Sequence, residues 1–215
     1  MLNKILVFGL ILVNFSCTKN LTFEKVVFFT NFEKGLPTNL TINNIYGQIN
    51  DDKIFYFNRS KVLGPLNNNS INIEIDSIPE HNILEVNFDL YIHDNWQGNK
   101  IANNGIPDLF AIKINDDPKL FTTFSNDASY TQAFPEWYPN GSNPIKSNSI
   151  NLDMPGLCYS KNNKQGTTFY SIKQTFKNDD KEIVLSLSDA LQPFNSLCEK
   201  SWSIDNIKIV VFKYY

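Results

Sequence analysis

The chain has 215 residues, with 19 basic and 22 acidic side chains and a net charge of −3. This mild acidity argues against nucleic-acid binding, which draws on Lys- and Arg-rich surfaces. Charged residues make up only 19% against an average of roughly 25%, while aromatic residues reach 13%.

The N-terminus reads as a targeting segment. Met1 to Lys4 gives a short positive start, and Ile5 to Phe15 is an apolar run broken only by Gly9 and Asn14. That run suits the core of a signal peptide and is too short for a bilayer span of roughly 20 residues. Ser16-Cys17 ends it and resembles a bacterial lipobox, in which the cysteine is lipidated, although Asn14 stands where the pattern prefers Leu, Val or Ile. The expectation is a signal peptide over 1–16, a lipid anchor at Cys17 with a tether over 17–24, and one domain over 25–215. The anchor is the only membrane attachment expected. The product is an exported protein at the outer membrane or cell surface, or a secreted one if the leader is simply cleaved.

Beyond the leader the apolar residues repeat with period two, the signature of half-buried strands. In chain order the predicted strands are Val26–Phe29, Leu40–Tyr46, Ile54–Phe57 and the Ile71, Ile73, Ile75 run. Then comes the longest, in which Leu84, Val86, Phe88, Leu90 and Ile92 alternate with polar residues and Tyr91 up to His93. Phe110 to Ile114, Leu120–Phe124, Phe169–Phe176, Ile183 to Leu187 and Ile207 to Val211 follow. Asn- and Asp-rich breaks at 50–52, 67–69, 115–118 and 178–180 supply turns. No segment keeps a helical period. The fold class is all-β, with a jelly-roll β-sandwich of two antiparallel sheets the leading architecture and a closed barrel the other option.

Residues 125–167 break this rhythm. They are rich in Asn, Gly, Pro and Ser yet hold Tyr130, Phe134, Trp137, Tyr138 and Tyr159. A long irregular loop in a compact domain is usually functional or disordered, and its aromatic residues argue for a packed, functional one. Cys158 and Cys198 remain once Cys17 is set aside, and an even pair in an exported chain is expected to form a disulfide.

Several segments together resemble a recurring extracellular bacterial domain. They are Phe88 to Asn99, Ile106-Pro107-Asp108, Thr122 to Asn126 and Ser201 to Ile207. In that group a strand ends in Asp-x-Trp-Asp-Gly, a Gly-Pro-Asp follows, and the last strand opens with Trp-x-x-Asp-Asn. Asn31 to Pro37 is also similar to the opening strand of MAM-type, concanavalin-like and carbohydrate-binding-module jelly rolls. The departures are Gln97, where the group often has Asp, and Ile106, where it often has Gly. The resemblance implies a jelly roll with a structural calcium joining first and last strands, here through Glu33 and Asp205. Ca²⁺ takes six to eight hard oxygen ligands, which carboxylates and carbonyls supply. Asp94 and Asp108, near Asn95 and Asn99, form a second candidate metal cluster.

Trp96, Trp137 and Tyr138 are the candidate ligand-binding residues, because flat rings stack on sugars and line recognition sites; the alternative is that Trp96 plugs the end of the sandwich and Trp137 anchors the long loop onto a sheet. No nucleophile elbow, zinc-binding His pair or phosphate loop is present, and His81 and His93 lie on separate segments. The expected function is therefore a non-catalytic exported lipoprotein that binds a glycan or a surface protein. A structural or assembly lipoprotein of the envelope is the alternative, and a jelly-roll polysaccharide hydrolase or lyase a further one.

Overall fold

The computed structural model describes residues 20–44, 47–49, 51, 53–103, 105–157, 166–191 and 196–215. The leader, Cys17 and Cys158 fall outside the described residues.

Two antiparallel sheets face each other. The first has the order β10(Asn151–Met154), β11(Thr167–Lys177), β7(Ile83–Asp94), β13(Lys200–Tyr214), β5(Ser60–Leu66), β4(Ile54–Phe57), and β1(Leu21–Thr30) also pairs with β13. The second runs β3(Gly47–Ile49), β2(Leu40–Asn44), β6(Ser70–Ile75), β12(Ile183–Ala190), β8(Leu109–Ile114), β9(Asp117–Thr123). The chain passes repeatedly from one sheet to the other, so the architecture is a β-sandwich with wrapped, jelly-roll connectivity and not a closed barrel.

Alternation explains the core. Leu84, Val86, Phe88, Leu90 and Ile92 of β7 all point between the sheets and meet Ile71 and Ile73 of β6, Phe110 and Ile112 of β8, and Leu185 and Leu187 of β12 within one buried cluster. On β13 the inward set is Trp202 and Ile204, then Ile207, Ile209 and Val211. A bulge between Asp205 and Lys208 resets the face. Asn206 sits there at φ 51°, a left-handed conformation that Asn tolerates, and its backbone N–H donates to Asp205 Oδ1 at 2.7 Å.

Three boundaries differ from the sequence expectations. β1 begins at Leu21, inside the segment read as tether, because β13 extends far enough to pair Leu21 with Tyr214 and Glu24 with Phe212. β5 runs through Gly64-Pro65, a stretch outside the predicted strands. Gly64 lies flat against β13, where a Cβ would come within 2.4 Å of Ser203 Oγ, so glycine is what lets the strands approach. Finally, β10 shortens the irregular loop. Met154 is buried and Asn151 pairs with Phe169, but four residues are too few to reveal a period.

Candidate functional site

The segments that resemble the extracellular group converge at one end of the sandwich, beyond the last residues of β7. There they build a support. The Trp96 side chain drops between the sheets with 0% exposure, packs edge-on to Phe124, and donates from Nε1 to the Ser201 carbonyl at 2.8 Å. A ring with no open face cannot stack on a sugar, so Trp96 leaves the ligand-binding set. Gly98 follows at φ 56°, and a Cβ there would lie 2.1 Å from the Thr131 carbonyl oxygen. Asn99 then donates its backbone N–H to the same carbonyl and its Nδ2 to the Gly141 carbonyl at 3.0 Å, while Oδ1 accepts from Thr123 Oγ1 at 2.6 Å.

Asp108 and Asp94 turn to different partners. Asp108 is buried against Lys200, with Nζ 2.9 and 3.1 Å from its two oxygens, and Oδ2 also accepts from the Gln97 N–H at 2.7 Å. Asp94 Oδ2 accepts from the Leu157 N–H at 3.2 Å. The position that a metal would take beside Asp108 is held by an ammonium group. Sequence reading missed Lys200 because a lysine opening a strand looks like an ordinary surface residue.

The span from 125 to 150 is a packed structure. Gln132 is its buried centre: Oε1 accepts from the Ser125 and Lys146 N–H groups and from the Tyr170 hydroxyl, and Nε2 donates to the Phe134 and Ser147 carbonyls. The segment lies along the outer edge of β9, where Phe134 N–H donates to the Thr123 carbonyl and Tyr138 N–H to the Phe121 carbonyl. It thus covers a sheet edge that would otherwise offer unpaired backbone. At its crest Trp137 is 42% exposed, with its ring edge-on to Phe121 at 6.0 Å. Tyr138 beside it is half-buried.

Glu33 and Asp205 do come together, on the outer side of the first sheet. Ser60 Oγ bridges them, 2.8 Å from Asp205 Oδ2 and 3.3 Å from Glu33 Oε1. Asp89 stands opposite Asp205 on β7 and accepts from Asn206 Nδ2 at 2.8 Å. Burial raises the Asp205 carboxyl above its ordinary range, and Asp89 and Glu33 push it further up, against hydrogen bonds from Ser60 and Asn206. These are hard oxygen donors around mutually repelling charges, chemistry that suits a cation such as Ca²⁺. Among the described residues, however, no three His, Cys, Asp or Glu side chains are grouped as a metal site.

His93 is not a surface residue. The β4–β5 hairpin and β10 cover the outer face at this point, and Phe57, Val62, Tyr91 and Met154 form a second small core there. His93 Nδ1 lies 2.9 Å from Thr167 Oγ1 and Nε2 2.8 Å from Ser203 Oγ, and burial lowers its pKa to about 3. It is a neutral packing group.

No protein-family model matches the chain, and no curated protein matches it. Solved structures of similar outline include a family 35 carbohydrate binding module from Clostridium thermocellum, at 8% identity and a TM-score of 0.34, covering 87% of this chain and 98% of that one. Another is the K3 cleaved adhesin domain of Lys-gingipain from Porphyromonas gingivalis, at 11% identity and a TM-score of 0.40, covering 86% and 98%. An exo-β-1,3-galactanase from Phanerochaete chrysosporium matches at 11% identity and a TM-score of 0.34, covering 84% of this chain but only 28% of that longer one. Likenesses this distant assign no family and no activity.

Proposed function

We propose that this chain is an exported, non-catalytic binding domain that presents Trp137 and Tyr138 to a glycan or a surface protein. One observation carries the reading: an exposed indole stands on a segment whose backbone is fixed by the buried Gln132. Large aromatic surface on a rigid support is what recognition sites use, since little entropy is lost on binding. A glycan array probed with wild type and Trp137→Ala tests it. Retention of one glycan class by wild type and loss in the variant supports the reading; equal retention by both removes Trp137 from it.

Three further features belong to this proposal. Cys17 carries the lipid that holds the domain at the outer membrane or cell surface, and palmitate labelling lost in Cys17→Ala would support it. Labelling that persists in that variant would remove it. Glu33 and Asp205, with Asp89 opposite, take a calcium ion that offsets their repulsion and staples first strand to last. Cys198, which does not stand as a free thiol, pairs with Cys158. Two alkylatable thiols in the unreduced protein would end that pairing.

A further inference from the structure

A cavity of about 580 Å³ lies at the other end of β7 from the Trp137 loop, within the size range of small-molecule pockets, roughly 300–1,000 Å³. Ile83 of β7, Thr175 and Lys177 of β11, and Tyr214 at the end of β13 line it with Asn178, Asp179, Asn82 and Tyr215. Ile83 and Tyr214 are half-buried and the Tyr215 ring is 80% exposed. The lining therefore combines aromatic and aliphatic side chains with a hydroxyl, amides, a carboxylate and an ammonium.

Its walls are fixed from behind. Asn82 grips Tyr214 twice, donating from Nδ2 to its carbonyl at 2.6 Å and accepting its N–H on Oδ1 at 3.0 Å. Buried His81 sits between the Pro79 carbonyl, 2.8 Å away, and Asn178 Oδ1, 3.0 Å away. Lys213 is tied to Glu80, and its ammonium lies 5.6 Å from the centre of the Tyr215 ring. Thr175 and Lys177, by contrast, make no side-chain hydrogen bond to another described residue. Of the lining groups, Asn82 and Asn178 are committed to holding shape, while Thr175 and Lys177 keep their donors.

We propose that this cavity is a second recognition site, and that it takes a neutral sugar, one pyranose ring with part of its neighbour. A pyranose has an apolar C–H face for the tyrosine rings and hydroxyls for Thr175, Lys177 and Asp179. Lys177 and Asp179 carry opposite charges, so no net charge selects an ionic ligand. The proposal shares the binding-domain reading above but uses none of the loop residues.

The test is a ¹⁵N-NMR titration of the protein with cellobiose, maltose, chitobiose and N-acetyllactosamine in turn. At least one of them should shift the amides of Ile83, Thr175, Lys177 and Tyr214. Tyr215→Ala should weaken that binding about three- to tenfold, the worth of one stacked ring, and Thr175→Val should weaken it as well. Trp137→Ala should leave it unchanged, which separates this site from the loop. Shifts confined to residues 134–139, shifts unaltered in both pocket variants, or no shift with any of the four sugars would overturn the proposal. Binding of a tyrosine- or leucine-rich peptide in place of every sugar would overturn it too.

Discussion

Two buried aspartates meet opposite electrostatic fates. Asp108 faces the ammonium of Lys200 and a backbone N–H, so its charge is matched inside the fold. Asp205 faces Glu33 and Asp89, and among the described residues a serine hydroxyl and one backbone N–H soften the crowding. The first arrangement is complete within the chain. The second is a place where the fold gains from an added positive charge or a proton. Both lie in segments that resemble the same extracellular group, so motif resemblance alone does not separate a structural acid from a ligand-ready one.

The sharpest way to break this contrast is Lys200→Met. It leaves Asp108 buried without its cation, and removing one partner of a buried pair costs about 3–5 kcal/mol. For a domain of this size thermal unfolding should drop by roughly 6–20 °C, and Asp108→Asn added to the same chain should recover much of the loss. A melting temperature unchanged by Lys200→Met would mean that the pair is not buried.

At the other acid the expectation runs upward. A hundredfold excess of Ca²⁺ over its Kd should raise the melting temperature by about 5–10 °C, and Asp205→Asn should abolish the rise. Calorimetry without heat, together with an unmoved melting temperature, would exclude calcium there.

Acid titration probes one buried and one half-buried group, His93 and Asp189, with opposing signs. His93 is held neutral, with a pKa of about 3 against an ordinary 6.5. The unfolded chain therefore binds the extra proton, and this contribution falls away as pH drops from 6.5 towards 3. Asp189 is pushed up to about 6 by burial, against hydrogen bonds from Trp202 Nε1 and the Asn69 and Asn68 N–H groups. Here the native state binds the proton more tightly, so acidification from about 6 to 4 stabilises the fold. The two effects oppose each other in wild type. Melting curves of Asp189→Asn should show the His93 loss uncovered, as a steeper fall below pH 6. A flatter profile in that variant would contradict the assignment.

The smallest expected effect on stability is at Trp137. Truncation to Ala on an exposed crest should change unfolding free energy by no more than about 0.5 kcal/mol. A larger change would make the ring part of the scaffold.

The sheets were legible because period-two alternation is a direct consequence of burying one face, and Leu84 to Ile92 shows it without interruption. The three-residue step from Ile204 to Ile207 is the sequence trace of the bulge at Asn206, recognisable as such only once the pairing of β13 is seen. What escaped was set by contacts between distant segments. The strand through Gly64-Pro65 is defined by β13 pressed against it, and whether Trp96 meets a ligand or plugs the sandwich end is decided by the turn at Gly98, which folds it inward. Gln132 gave no signal, since a buried amide is recognisable only by the five groups that meet it. The cavity at Tyr214 and Tyr215 depends on three strand ends lying side by side, which no local pattern encodes.

Rigid presentation of Trp137 is tested most directly by amide hydrogen exchange along residues 125–150. The N–H groups of Gln132, Phe134, Tyr138 and Asn143 all donate to carbonyls within the fold, so they should exchange far more slowly than free peptide and approach the protection of the β7 strand. Exchange of these amides at the rate of an unstructured loop would contradict the account, because the indole would then stand on nothing fixed.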